Sequence, residues 1–219
     1  MIAQIGRATG VPNPAVRWVT GSAAERVMMI ATGKADLDCA NTTATLTRMA
    51  DVDFSSLVFI EVGGIVVKGA SGIRKLGDLS GKTIGVITGT TTEARIEAAL
   101  KDLAINASVR RVKDGNEGMA LVETGTIDAF ASDKVKLLGL ATQAKDPAAL
   151  SMLQEDLSYE PLAFAVPRGD SAFRLEVNRA LTQVYTSGEI ESIYNAWFGS
   201  LGRPSNLLAA MFLLNSIPR

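Results

Sequence analysis

Six side chains in this sequence, Arg26, Asn41, Thr43, Thr90, Thr91 and Asp133, have types and placements suited to holding a small zwitterion. An arginine makes two parallel hydrogen bonds to a carboxylate. The run Thr88-Gly89-Thr90-Thr91-Thr92-Glu93 follows an apolar stretch and opens a helix, with Thr90 and Glu93 spaced as a capping box. Free N–H groups and the positive dipole end at such a start suit an anion, and the threonine hydroxyls add donors. It is not a P-loop, because Gly-x4-Gly-Lys is missing. Asp133 follows an apolar strand, at the end where ligands sit in open α/β sheets, and suits an ammonium group. Each residue also has a plainer reading: Arg26 as a solvated helix residue, Thr90 as a cap alone, Asp133 as the N-cap of the next helix. No general base stands beside a nucleophile and no carboxylates pair at a recognisable spacing, so the pattern suits binding without catalysis.

The elements that must place these groups include a pattern that occurs twice. Met29-Ile30-Ala31-Thr32-Gly33-Lys34-Ala35-Asp36 is echoed 92 residues later by Leu121-Val122-Glu123-Thr124-Gly125-Thr126-Ile127-Asp128. In each copy a helix-like apolar stretch ends in Thr-Gly, an Asp stands three residues after the Gly, and a short apolar strand follows. Eight positions past the Gly comes a polar residue, Asn41 in one copy and Asp133 in the other. Two similar units that each deliver a polar group at a strand's end predict two like lobes facing one small ligand.

Composition narrows the function classes. The 219 residues carry a net charge of −1, with 47% hydrophobic and 21% charged residues, which fits an ordinary globular protein and gives no reason to expect nucleic acid. There is no His and only one Cys, so zinc sites of the usual spacing and Cys/His nucleophiles are excluded, and no metal or cofactor is expected. Cys39 lies in an apolar strand pattern and reads as a small buried hydrophobe. No run of 18 apolar residues predicts a membrane span, and the first ten residues lack the pattern of a signal peptide. That leaves a cytoplasmic protein, or one whose N-terminus has been removed.

Helices and strands alternate along the chain, which predicts an α/β protein with largely parallel sheets. A helix tail ends near Thr9, before Pro12 and Pro14; strands are expected at 15–19 and 35–40, with a helix over 23–32 between them. A strand at 58–68 is interrupted by Gly63-Gly64, either as a hinge or as a bulge. Then come a turn at 73–79, a strand at 83–87, a helix to about 103, a strand at 109–112, a helix at 117–124, a strand at 127–131 and a helix at 134–142. A strand at 162–166 and helices at 172–187 and 189–198 follow, and the tail from Gly199 reads as irregular.

As a set, these stretches resemble the family 3 extracellular solute-binding proteins, the amino-acid receptors of ABC importers. The resemblance rests on Arg26 with Thr32-Gly33-Lys34-Ala35-Asp36, Thr42-Thr43, Arg48 and Asp53-Phe54-Ser55. It continues through Leu76-Gly77-Asp78-Leu79-Ser80-Gly81-Lys82-Thr83-Ile84-Gly85-Val86, Gly89 to Glu93, Gly125 with Asp128-Ala129-Phe130 and Asp133, and Ile193-Tyr194-Asn195-Ala196-Trp197-Phe198-Gly199. Cys39-Ala40-Asn41-Thr42-Thr43 and the tail Arg203-Pro204-Ser205-Asn206-Leu207 are similar to the glutamate/aspartate-binding subgroup.

The resemblance implies a two-lobed periplasmic binding protein fold of type II, each lobe a mostly parallel sheet flanked by helices, the first lacking its N-terminal strand. Lobe 1 would comprise 1–63 and 165–219 and lobe 2 would comprise 68–160, with hinge strands near 63–67 and 162–166. The implied function is the substrate-binding component of an ABC importer, periplasmic and non-catalytic. It would close on a polar or acidic amino acid and deliver it to a membrane permease. The full-length protein would be a monomer, and a truncated one prone to association. A cyclohexadienyl or arogenate dehydratase-like enzyme on the same scaffold is the alternative. Carried over by position, Arg26 would take the α-carboxylate with help from Thr90 and Thr91, and Asp133 the α-ammonium; Asn41 and Thr43 would add polar contacts, and Arg48 would be structural. Three departures stand out: the missing first strand, Gly115 where the subgroup has a ligand-contacting His, and Asn41 in place of its Ser.

Overall fold

The computed structural model describes residues 2–8, 10, 11, 13–199 and 202–217; the expected helix end at Thr9 and the breaker Pro12 lie outside them. The chain divides into two compact units, one of Met1–Gly21, Glu25–Ile60 and Pro161–Arg219, the other of Ser22–Ala24 and Glu61–Glu160. Two long strands, β1 (Val52–Lys68) and β6 (Ser158–Pro167), carry the chain out of the first unit and back.

The second unit is built on β2 (Thr83–Ile87), β3 (Ser108–Val112), β4 (Ala129–Asp133), β5 (Leu150–Met152) and the end of β1, ordered β3-β2-β4-β1-β5. β2 runs parallel to β3 and β4, whereas β1 is antiparallel to β4 and β5. The α/β class holds, but the mostly parallel sheet expected of each lobe is corrected to a mixed one here. The reason is that β1 enters from the other unit and meets the parallel trio head to tail.

Side chains alternate across this sheet. On one face Ile65, Val67, Ile84, Val86, Ala129 and Ala131 pack with Ile96 and Leu100 of α3 (Thr91–Asp102). On the other, Val66, Ile87 and Phe130 pack with Met119 and Val122 of α4 (Gly115–Thr124) and Leu137 of α5 (Lys134–Thr142). Burial on both faces explains why these strands read as nearly continuous apolar runs. Gly118 lets α4 approach the sheet, since a Cβ there would stand 2.4 Å from the Phe130 ring.

In the first unit, α2 (Arg26–Ala31) buries Val27 and Ile30 against Val52, Phe54, Ala163 and Ala165. α6 (Ser171–Thr186) packs Val177, Ala180, Leu181 and Tyr185 around Val166 and Ile5 of α1 (Ile2–Ala8), and α7 (Glu189–Phe198) follows. The tail expected to be irregular instead forms α8 (Asn206–Leu214), capped by the Ser205 side chain, with Leu208 and Met211 buried.

Both strands expected early in this unit are corrected. Residues 15–19 have no regular structure, with Val16, Trp18 and Val19 45%, 77% and 47% exposed. Residues 35–40 make one antiparallel bridge, Asp38 to Ala165. A strand needs a neighbour to pair its N–H and C=O groups, and a cavity of about 610 Å³ lies along both segments, lined by Val16, Trp18, Ile30, Leu37 and Cys39 among others. The bridge turns Asp38 inward, so its neighbour Cys39 is exposed rather than the buried hydrophobe expected.

Candidate functional site

The repeated Thr-Gly pattern forms the same device twice. Thr32 Oγ1 donates to Met28 O at 2.7 Å and Thr124 Oγ1 to Ala120 O at 3.0 Å, each in the last turn of its helix. Gly33 and Gly125 then take left-handed conformations at φ 69° and 74°, which glycine tolerates best. Beyond the turn the copies differ. Asp128 Oδ2 accepts the Thr83 N–H at 2.9 Å and pairs with Lys82, pinning the entry to β2, while Asp36 is exposed.

In the first unit the structure joins Arg26 to Asn41. The guanidinium donates from NH1 to Asn41 Oδ1 at 3.2 Å and from NH2 to Asn41 O at 3.0 Å. Its Nε stands 3.8 Å from Asp38 Oδ2, and the Arg26 side chain is only 16% exposed, so the solvated reading does not apply. Asp38, which sequence reasoning did not single out, organises this network: its oxygens accept the Ala40 N–H at 3.0 Å and the Thr42 hydroxyl at 2.6 Å. Its signal was a carboxylate inside an apolar strand pattern.

Thr43 is buried and bridges Leu162 of β6. Its carbonyl accepts from Arg48 NH1 at 2.8 Å. That bond fits the structural role expected of Arg48, and it also sets a second guanidinium on a carbonyl two residues from the one that holds Arg26.

In the second unit, α3 begins as the capping box predicts. Glu93 N–H donates to Thr90 Oγ1 at 3.2 Å, and the Glu93 carboxylate accepts the Gly89 N–H at 2.8 Å, one residue earlier than the standard box. The Thr90 hydroxyl also donates to Ile87 O at 2.8 Å. With a donor and an acceptor bond both internal, Thr90 acts here as a cap. Thr90→Ala is therefore expected to cost about 1 kcal/mol of stability, visible as a lower urea midpoint; an unchanged midpoint would remove that role.

Thr91 and Asp133 stand among carboxylates that sequence reasoning missed. Thr91 Oγ1 donates to Glu160 Oε2 at 2.8 Å, and the Ser158 hydroxyl donates to Glu160 Oε1 at 2.5 Å. Glu160 is 1% exposed. Glu61, also buried, accepts the Val62 N–H at 2.8 Å and the Val135 N–H at 3.4 Å through Oε1. Burial pushes its carboxyl up to about 7 from 4.5, opposed by the Val62 bond and reinforced by Asp133; the Val135 bond then lowers it and Glu160 raises it. Asp133 ends β4 opposite Gly63 and precedes α5, yet its side chain makes no capping bond to that helix, so the N-cap reading is not the one the structure forms. Lys134 beside it pairs with Asp156.

In the first unit, then, two guanidinium groups rest on the Asn41 and Thr43 carbonyls, and in the second the buried Glu160 carboxylate accepts from the first residue of α3. Among the described residues no group of three acids, His or Cys is placed to hold a metal ion, and no helix is long and apolar enough to cross a membrane.

Residues 1–200 match the profile of the bacterial extracellular solute-binding proteins, family 3. The L-glutamate/L-aspartate-binding protein of Pseudomonas aeruginosa is 31% identical over 199 residues, covering 90% of this chain and 66% of its own. The glutamate/aspartate import solute-binding protein of Escherichia coli is 26% identical over 196 residues, covering 90% and 65%. The chain therefore spans about two thirds of the length of these curated relatives. Among solved structures, an ancestral arginine-binding protein bound to arginine superposes with a TM-score of 0.80 at 29% identity, covering 90% of this chain and 85% of that one. A substrate-binding protein of an ABC uptake transporter from Streptococcus pneumoniae, with bound histidine, shares the fold at a TM-score of 0.80 and 23% identity, covering 90% and 82%. With the profile matched over nearly its whole length, this chain belongs to the bacterial extracellular solute-binding proteins, family 3.

Proposed function

We propose that this protein is the substrate-binding component of an ABC-type amino-acid importer, periplasmic, handing an acidic amino acid to a membrane permease. The observation that carries the reading is the Arg26 guanidinium of the first unit, held on the Asn41 carbonyl and side chain. Such a group suits the carboxylate of an amino acid. Arg26, docked on the Asn41 carbonyl, supports a ligand with a carboxylate, because its planar guanidinium suits one. The glutamate and aspartate named for the relatives fit that chemistry. In this reading Asn41 and Thr43 add polar contacts, the main chain at Thr91 meets a carboxylate, and Asp133 takes the ammonium.

Calorimetry against the twenty L-amino acids tests it. L-glutamate or L-aspartate is expected to bind with a dissociation constant below about 10 μM, or roughly −7 kcal/mol. 4-Aminobutyrate, which is glutamate without its α-carboxylate, is expected not to bind measurably. A folded protein that binds no amino acid would overturn the proposal.

A further inference from the structure

Two stretches of the first unit line one cavity and leave main-chain groups unpaired. Asp38 and Ala165 exchange both of their main-chain bonds, at 3.0 and 3.2 Å, so the N–H and C=O groups of Leu37 and Cys39 point away from β6. Among the described residues nothing bonds to those groups, and nothing bonds to the main chain of 15–20. Both stretches border the cavity of about 610 Å³, whose other walls include the buried Ile5 and Ile30 and part of Phe173. All of these residues belong to the first unit. Trp18, on the wall formed by 15–20, stands mostly exposed. Main-chain groups beside an apolar floor need partners. A row of them flanked by apolar side chains is a template for one more strand.

We propose that this cavity is a slot for a single extended polypeptide segment, which pairs with the 37–39 edge on one side and with 15–19 on the other. The occupant's chemistry follows from the walls. It must offer N–H and C=O groups along both of its edges, which an extended chain does and a small apolar molecule does not. Its side chains would alternate, an apolar set resting on Ile5 and Ile30. A folded second copy of this protein fits less well, because the strands of a folded protein are already paired along at least one edge. Asp38, in the middle of the 37–39 edge, accepts the Thr42 hydroxyl and lies beside Arg26. An occupant would therefore brace the stretch that organises the Arg26 network. The proposal stands apart from the receptor reading, since it concerns a different occupant.

The probes are four heptapeptides with lysine at each end, in which threonine alternates with one apolar residue: valine, isoleucine, leucine or alanine. Cys39 is the only cysteine of the chain and is exposed, so the rate at which its thiol reacts with Ellman's reagent reports whether the edge is covered. With a binding peptide at about ten times its dissociation constant, that rate is expected to fall about tenfold. In Trp197→Phe, which leaves Trp18 as the single tryptophan, emission is expected to shift to the blue when the peptide is added. Should that variant not fold, the thiol rate of the wild type decides alone. The same peptide methylated on the main-chain nitrogens of either edge is expected not to bind, because one wall of the slot then meets no donors. Protection by none of the peptides overturns the proposal. So does equal protection by a methylated peptide, which would make the cavity a plain apolar hollow. Protection that grows with protein concentration alone would make the occupant a second copy, and overturns it as well.

Discussion

Asp133→Asn is expected to weaken binding of L-glutamate by about 30- to 200-fold, the roughly 2–3 kcal/mol lost when one partner of a desolvated charge pair is removed. Asn keeps the shape and one acceptor oxygen, so the loss reports charge more than packing. Asp133 is also one of the groups that raise the Glu61 carboxyl, so removing its charge relieves that repulsion. The loss of affinity is read by calorimetry. Near-wild-type affinity would show that the ammonium lies elsewhere.

What the sequence disclosed and what it hid follow from the range of the forces involved. The start of α3 was legible because a cap is local: Thr90 and Glu93 sit within one turn of the groups they bond. The glycines closing the repeated turns were legible for the same reason, since a left-handed residue is a local demand. The first half of β1 was hidden by its polar residues. Ser55 interrupts the apolar pattern, yet its hydroxyl donates to Ser56 O and accepts the Phe164 N–H 109 residues away. Residues 15–19 erred in the opposite direction: their apolar alternation reads as a strand, but pairing depends on neighbours that local sequence does not name. The capped start of α8 at Ser205 was readable, and the run Leu207-Leu208-Ala209-Ala210-Met211-Phe212-Leu213-Leu214 that follows it consists mostly of good helix formers.

The site divides along similar lines. Arg26, Asn41 and Thr43 were singled out by type and placement, and the structure gathers them with Asp38, Thr42 and Arg48. Asp133 and Thr91 were singled out at the end of a strand and the start of a helix, positions that pattern alone can mark and that the structure gives them. Glu61 and Glu160 were missed because a Glu within a strand reads as the solvent half of an alternation. Both stand where β1 and β6 pass between units, and their burial comes from partners as distant in sequence as Val135 and Thr91. Buried acids of this kind carry no local signal.

Glu61 is where that burial should be most visible in solution. Its carboxyl titrates near 4.5 in an unfolded chain and about 7 in the native one. Below pH 4.5 both states hold the proton and the group costs nothing. As pH rises toward 7 the unfolded chain releases its proton while the native protein retains it, so stability falls across that window and levels off above it. The fall attributable to this one group is roughly 2–3 kcal/mol. Glu61→Gln removes the titration and keeps an oxygen to accept the Val62 and Val135 N–H groups. Its amide also adds donors in surroundings that hold the Asp133 and Glu160 carboxylates. The variant should therefore match the wild type near pH 4.5 and exceed it by about 2 kcal/mol or more at pH 8, seen as a higher urea midpoint with an unchanged slope. Because the substitution adds no apolar contact, a gain that grows with pH can come only from the proton. A variant equal to or weaker than the wild type at pH 8 would mean that Glu61 is held ionised by groups that outweigh its burial.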